Sequence, residues 1–170
     1  MNFAASAPTA AHWGPRSMLN RLIYLFVLLA GALLFGLGAY FQYALHLQPC
    51  GPQVLVRYAL VFAGLFALIA LIAGSAKIVR IVMSAGIALA SLAGAVVAAH
   101  QSWPHHVPLH FAHPDSLARS LPLGDALPKL FMGSGECDKH WSIIGISGSE
   151  WALIAFIAFI VAAFFAARGK

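Results

Sequence analysis

The chain has 170 residues, of which 61% are hydrophobic and only 9% are charged, and its formal net charge is +5. This composition excludes an ordinary soluble domain, in which about a quarter of the residues are charged. The basic excess does not indicate nucleic-acid binding, because most basic residues flank apolar segments and no basic patch is interleaved with aromatic residues.

Four long uncharged segments predict membrane spans. Each approaches the roughly 20 residues that a helix needs to cross a ~30 Å hydrocarbon core, and a helix satisfies its own backbone in lipid. We predict an N-terminal tail, residues 1–20, followed by a membrane domain over 21–170. The predicted spans are 22–43, 58–76, 81–99 and 151–167. The expected fold is an all-α integral membrane protein, a bundle of four transmembrane helices.

The distribution of charge predicts the orientation of this bundle. Basic residues cluster near span ends on one side of the predicted membrane, whereas all five acidic residues lie on the other. By the positive-inside rule, both termini are expected in the cytoplasm, and the long second loop, 100–150, in the periplasm of a bacterial inner membrane. The basic residues are Arg16, Arg21, Lys77, Arg80, Arg168 and Lys170, and the acidic ones are Asp115, Asp125, Glu136, Asp138 and Glu150.

The two cysteines of the chain, Cys50 and Cys137, are separated by two predicted spans. A chain that crosses a bilayer twice returns to the side it left, so both thiols are expected in the same compartment. The periplasm is oxidising, and a disulfide can persist there. Neither cysteine belongs to a CxxC motif, so a thioredoxin motif and a zinc knuckle are both absent. A disulfide between two extramembrane loops is therefore topologically allowed.

The segment around Cys50 has the features of a helix start. Proline is favoured in the first turn of a helix, so Pro52 predicts a helix that begins at or just after Cys50. The helix dipole would favour a thiolate at that point. Arg57 follows two turns later on a similar face, so a reactive thiol near a guanidinium is one reading. The alternative is that Arg57 is an interfacial charge that extends towards the headgroups.

The long loop is the largest polar region of the chain. Within 115–131, leucines recur among charged residues, while Pro122 and Pro128 interrupt any single long helix. We predict one or two short amphipathic turns on the membrane surface, or a loop folded onto the helix ends.

Several short motifs occur along the chain, with a long, gapless and specific block in the long loop. They are YFQY at 40–43, QPC at 48–50, Arg57, PLGDAL at 122–127, FMGSGEC at 131–137, WSIIGIS at 141–147 and Glu150-Trp151. With these motifs, the chain resembles the disulfide bond formation protein B (DsbB) family from about residue 20 to residue 167, and members of that family are membrane oxidants of periplasmic thiols.

The resemblance implies a function and a set of site residues. In such proteins a bound quinone takes electrons from a CxxC pair in the first outer loop, and a second pair in the long loop oxidises a soluble thioredoxin-fold protein. The chain would then use Cys50 and Cys137 as catalytic residues. Arg57 and Gln53 would bind the cofactor, ubiquinone or menaquinone, and no metal is implied.

The sequence departs from this pattern at two positions. The second cysteine of the CxxC is replaced by Gln53, which carries no thiol. The first cysteine of the long-loop pair is also missing, and family spacing places it at or near His110. By resemblance, Cys50 and Cys137 are the two that can join as an inter-loop disulfide. That bond would either cycle, with reduced or altered activity, or be permanent.

Three functional hypotheses follow. The first is a thiol–disulfide oxidoreductase that passes electrons from periplasmic thiols to a membrane quinone. The second is a non-enzymatic derivative in which the Cys50–Cys137 bond is structural and the protein is a subunit or assembly partner of a membrane complex. The third is a copper or zinc site formed by histidines on the outer side, although histidine-rich tracts are of low specificity. Its candidate ligands are His46, His100, His105, His106, His110, His113 and His140.

Overall fold

A computed structural model describes residues 15–44, 46, 51–73, 76–102, 128–131 and 142–168 of the chain. Cys50, Cys137 and His110 lie outside these ranges. Within them, the secondary structure consists of α1 (Pro15–Ala44), α2 (Gly51–Ala73), α3 (Lys77–Ser102), α4 (Pro128–Phe131), β1 (Ser142–Ile143), β2 (Ile146–Ser147) and α5 (Gly148–Arg168).

Four of these helices, α1, α2, α3 and α5, are long and apolar enough to cross a membrane. The predicted all-α membrane protein with four spanning helices is therefore confirmed. The helices are longer than the uncharged segments that predicted them. In particular, α2 begins at Gly51, seven residues before the predicted start at Tyr58, so Arg57 lies inside the helix. The prediction missed the first two turns of α2 because it started that span after the charge of Arg57.

Helix α3 packs against both α2 and α5, and α1 packs mainly against α2. Two glycines of α3 permit these close approaches. A Cβ at Gly94 would overlap the ring of Phe156 in α5, and a Cβ at Gly86 would lie 2.9 Å from the ring of Phe66 in α2. Because lipid tails are as apolar as leucine, close packing around small residues is a main source of helix association in membranes.

The buried core of the bundle is built from these contacts. Its fully buried large side chains include Val27, Ile87, Phe156 and Phe159. A polar pair also lies within it, because the hydroxyls of Tyr24 in α1 and Ser84 in α3 are 2.9 Å apart. This hydrogen bond connects two helices that share few other contacts.

Helix α5 starts from a small antiparallel hairpin, which the sequence analysis did not predict. Ser142 pairs with Ser147, and Ile143 pairs with Ile146. The two turn residues, Ile144 and Gly145, both have positive φ angles, 58° and 78°. Such a two-residue turn follows the right-handed twist of the strands, which explains why it closes so short a hairpin.

A capping box begins α5 directly after this hairpin. The carboxylate of Glu150 accepts hydrogen bonds from the backbone N–H of Ser147 at 2.7 Å and from its hydroxyl at 2.9 Å. In return, the backbone N–H of Glu150 donates to the Ser147 hydroxyl at 3.4 Å. Otherwise unsatisfied groups at the helix start are thereby paired. The first turn of α5, which borders the site described below, is held in position.

Candidate functional site

The first turns of α2 carry two of the predicted site residues. Gln53 and Arg57 are four positions apart, so they lie on the same face of the helix. Gln53 is half-buried, and Arg57 is only 8% exposed. The alternative in which Arg57 extends to the interface is therefore wrong, because its side chain is inside the protein.

The buried guanidinium of Arg57 is held by two backbone carbonyls. One Nη donates a 2.6 Å hydrogen bond to the carbonyl of Leu130 in α4, and the other donates a 3.5 Å bond to that of Gly38 in α1. A buried charge is tolerated only when it is hydrogen-bonded or paired. These bonds therefore fix the side chain and connect three segments of the chain.

A cavity lies beside Arg57, between α1, α2 and the ends of α3 and α5. Its lining is mostly apolar, with several polar side chains placed among the apolar ones. The lining residues are Leu34, Phe35, Gly38, Gln53, Val56, Arg57, Leu60, Gln101, Gly148, Ser149 and Ala152. An apolar cavity with a few polar groups is the usual form of a small-molecule site. The structure thus brings Gln53 and Arg57 together in the lining of one such cavity.

The short helix α4 closes against this region. Phe131 is 2% exposed and forms a buried cluster with Val54 and Tyr58 of α2. Its ring centroid is 4.8 Å from that of Tyr58 and 6.0 Å from that of Phe35. Of the two arrangements considered for the long loop, this part is folded onto the helices.

Several site residues were absent from the sequence analysis. Gly38, Gln101, Ser149 and the carbonyl of Leu130 come from segments far apart in the chain, and nothing in their local sequence indicates a shared site. Phe131 carried a weak signal, since it is an aromatic residue three positions after a proline in a polar loop.

The two predicted catalytic cysteines lie outside the described residues. The sequence around Cys50 predicted a helix beginning at or just after it, and α2 does begin at the next residue, Gly51. The helix start that the sequence predicted beside Cys50 therefore carries Gln53 and Arg57 in its first two turns.

The metal hypothesis remains a prediction. Within 15–44, 51–73, 76–102 and the other described segments, no group of three His, Cys, Asp or Glu side chains could hold a metal ion. However, five of its seven histidines lie outside those segments, namely His105, His106, His110, His113 and His140.

Four helices that can span a membrane, with a largely apolar cavity at one end, define a multi-pass membrane protein with a candidate small-molecule site. Comparison with known proteins identifies the family. The sequence profile of "Disulfide bond formation protein DsbB" matches residues 20–166, and the chain belongs to this family.

Curated relatives agree with this assignment. The chain is 40% identical over 135 residues to "Disulfide bond formation protein B" of Aromatoleum aromaticum, covering 76% of this chain and 80% of the relative. It is 32% identical over 142 residues to the protein of the same name from Azoarcus sp., covering 81% and 86%. The corresponding values for Stutzerimonas stutzeri are 32% over 152 residues, covering 83% and 90%. The chain is therefore a bacterial inner-membrane protein of the disulfide bond formation protein B family.

Proposed function

We propose that the protein passes electrons from periplasmic thiols to a membrane quinone, ubiquinone or menaquinone, through a single dithiol, Cys50 and Cys137. The observation that carries this proposal is the convergence of Gln53 and Arg57 on one largely apolar cavity, directly after Cys50 in the sequence. The proposal also agrees with the redox chemistry of the family, which is the oxidation of thiols.

The cavity lining fits a quinone. A quinone ring is flat and apolar and carries two carbonyl acceptors, and the cavity offers apolar walls such as Leu34, Val56 and Leu60. A guanidinium has five N–H donors, and the two bonds to Leu130 and Gly38 use two of them. Arg57 can therefore donate to a quinone carbonyl while it keeps its backbone partners.

Gln53 and Arg57 have different roles in this proposal. Arg57 places a fixed positive charge beside the cavity, where it stabilises negative charge that develops on a bound ring. The Gln53 amide donates a second hydrogen bond, at the position where the family has a thiol. Gln53 therefore orients the ring and takes no part in sulfur chemistry.

The sulfur chemistry belongs to Cys50 and Cys137. Their disulfide is attacked by a thiolate of a reduced thioredoxin-fold protein, and the mixed disulfide that forms is resolved by the partner's second thiol. This exchange leaves the partner oxidised and both cysteines as thiols. Reforming the Cys50–Cys137 bond then releases two electrons and two protons. A quinone held beside Gln53 and Arg57 would supply the acceptor for both.

The orientation of the chain is part of the proposal. Both termini are placed in the cytoplasm and the 100–150 loop in the periplasm, in agreement with the basic residues near the span ends. The two cysteines then share the periplasmic face with the cavity and with α4, which packs on the first turns of α2.

The test uses the full chain in lipid nanodiscs with ubiquinone-1 and a reduced thioredoxin-fold protein. Quinone reduction and partner oxidation are followed together, and they are expected in a one-to-one ratio. Cys50→Ser and Cys137→Ser are the matched controls, and each is expected to abolish turnover. Wild-type turnover no greater than that of Cys50→Ser would contradict the proposal.

The replacement of a family thiol by Gln53 favours a second candidate, a structural Cys50–Cys137 bond in a membrane-complex subunit. In the chain-entropy model, closing an 87-residue separation stabilises by about 4.6 kcal/mol. This candidate predicts a bond that resists mild reductant in protein that co-purifies with no quinone. A bond that is reduced by the thioredoxin-fold partner would exclude it.

A further inference from the structure

Two arginines flank one gap at the end of the bundle opposite the cavity. Helices α1 and α3 both begin at this end, and the hydroxyls of Tyr24 and Ser84 connect them there. Arg21 is three positions before Tyr24, and Arg80 is four positions before Ser84. Residues three or four positions apart share a helix face. Both guanidinium groups therefore lie one turn before the Tyr24–Ser84 bond, on the faces that α1 and α3 turn towards each other.

This end of the bundle is rich in positive charge. Like charges on neighbouring helices repel each other, and they do so more strongly where water is scarce. Within the segments that the structure describes, the one acidic residue is Glu150, which caps α5 at the opposite end. The other four acidic residues of the chain belong in sequence to 115–138, between α3 and α5. An anion from outside the chain would offset the repulsion between Arg21 and Arg80.

The side chain of Arg80 has a donor that such an anion would satisfy. Its Nε is buried and, among the described residues, has no hydrogen-bond partner. A buried donor without a partner is costly. The backbone at this position is held on both sides, because the Arg80 N–H donates to the carbonyl of Ala76 at 3.0 Å and its carbonyl accepts from Tyr24 at 3.5 Å. The position of Arg80 is thus fixed, while its Nε–H is left for an external acceptor.

The depth of the two arginines matches the layer of lipid headgroups. The apolar part of α1 begins at Met18 and α3 begins at Lys77, so Arg21 and Arg80 each lie three residues inside. At about 1.5 Å per residue, that depth is about 4.5 Å. The hydrocarbon core is about 30 Å thick within a bilayer of about 40–45 Å, which leaves about 5–7 Å for the headgroups on each side. The guanidinium groups are therefore at the level of the lipid phosphates.

We propose that Arg21 and Arg80 bind the phosphate group of an anionic phospholipid between the first turns of α1 and α3. A guanidinium matches two phosphate oxygens at once, and basic sites between membrane helices suit anionic headgroups. A phosphate that bridges the two arginines would join helices that otherwise meet mainly through Tyr24 and Ser84. An anionic headgroup is favoured over a zwitterionic one, whose own cation would be repelled by the same arginines.

The test counts lipids bound to the full-length protein in a neutral maltoside detergent. The protein is titrated with phosphatidylglycerol or phosphatidylcholine, and bound lipid is measured by native mass spectrometry. Wild type is expected to bind one molecule of phosphatidylglycerol about tenfold or more tightly than phosphatidylcholine, because each nearby arginine favours an anionic headgroup. Arg80→Gln is expected to weaken the binding of phosphatidylglycerol about tenfold, since a hydrogen bond to a charged group is lost.

Three further variants separate a built site from a general positive charge. Arg168→Gln removes the same charge from the same end of the bundle, but its guanidinium lies 3.9 Å from the centre of the Phe164 ring. It is expected to leave the affinity unchanged. Arg21→Gln is expected to match the loss in Arg80→Gln, and its exposed position keeps the proposal testable if the Arg80 variant does not fold. Arg80→Lys keeps the charge without the planar fork and is expected to lose only about threefold.

Three results would overturn the inference. The first is equal binding of phosphatidylglycerol and phosphatidylcholine. The second is an equal loss in Arg21→Gln, Arg80→Gln and Arg168→Gln, which would show a diffuse positive field instead of a site. The third is displacement of the lipid by excess inorganic phosphate, which would show a site for a free anion. These measurements involve neither the thiols nor a quinone, so their outcome is independent of the proposed function.

Discussion

The guanidinium of Arg57 donates a 2.6 Å hydrogen bond to the carbonyl of Leu130, 73 positions later in the chain. This bond joins the second membrane helix to the long loop at the edge of the cavity. Arg57 is therefore a structural link as well as a candidate ligand of the cofactor, and its substitution is expected to affect both.

Arg57→Lys is expected to raise the KM for ubiquinone-1 about tenfold or more, because a hydrogen bond to a charged group contributes about 1.5–3 kcal/mol and lysine cannot reproduce the planar fork. Initial rates of quinone reduction against quinone concentration measure this effect. Arg168→Lys, at the end of α5 and stacked on Phe164, is the control and is expected to leave KM unchanged. An unchanged KM in Arg57→Lys would argue against a quinone contact.

Gln53→Cys is expected to change the disulfide partner of Cys50. The substitution completes a CxxC motif, in which Cys50 has a second thiol partner only three positions away. Peptide mapping after air oxidation is expected to show bonds between Cys50 and the thiol introduced at position 53, at the expense of Cys50–Cys137. Gln53→Ser, which adds no thiol, is the control. A map of Gln53→Cys identical to that of wild type would show that the first turn of α2 prevents the shorter bond.

Alanine substitutions of three glycines are expected to destabilise the protein to different degrees. The loss of stability should be largest where the glycine has the least space around it. Gly94→Ala forces a methyl group into the ring of buried Phe156 and is expected to destabilise by roughly 1–3 kcal/mol. Gly86→Ala is expected to cost less, because half-buried Phe66 can shift. Gly64→Ala meets its nearest neighbour at 3.8 Å and should be neutral or slightly stabilising. Thermal unfolding in detergent checks this order, and an equal effect at all three would contradict the α3–α5 packing.

Glu150→Ala is expected to destabilise the start of α5 by about 1 kcal/mol, because Ser147 loses its reciprocal partner in the capping box. Hydrogen exchange of the amides in the first turn of α5 is the sensitive measurement, and exchange should increase there. Glu150→Gln retains a hydrogen-bond acceptor and serves as the matched variant, with a smaller increase. No change in either variant would mean that the capping box is not formed in lipid.

Ile144→Asn is expected to stabilise the hairpin by about 1–2 kcal/mol. Ile144 is a β-branched residue at φ 58°, a conformation that asparagine adopts at lower cost, and Asn-Gly is the preferred pair for such a turn. Because Ile144 is 89% exposed, the substitution removes little packing. Thermal unfolding measures the gain, with Ile146→Asn, on strand β2, as a destabilising control. A loss of stability in Ile144→Asn would indicate a contact of the isoleucine with lipid or with another protein.

The sequence predicted the fold more closely than the site, and particular residues show why. Charges such as Lys77 and Arg168 lie at helix ends and marked those ends well. Arg57 was misleading, because a charge inside a spanning helix looks like the end of the helix until its burial is known. Gln53 and Arg57 could be paired from their spacing alone, since both lie on one helix. The same reasoning could not reach Gly38, Gln101 or Ser149, which belong to three other helices.

The sequence by itself determined the class of protein, the four spans and the family. The bilayer imposes the same length and polarity on every span separately, so each can be read from its own segment. Only the tertiary structure decided that Arg57 is buried, that Phe131 is seated between α1 and α2, and that a cavity lies beside them. Those features depend on contacts between residues 19 to 96 positions apart, and such contacts leave no local pattern in the chain.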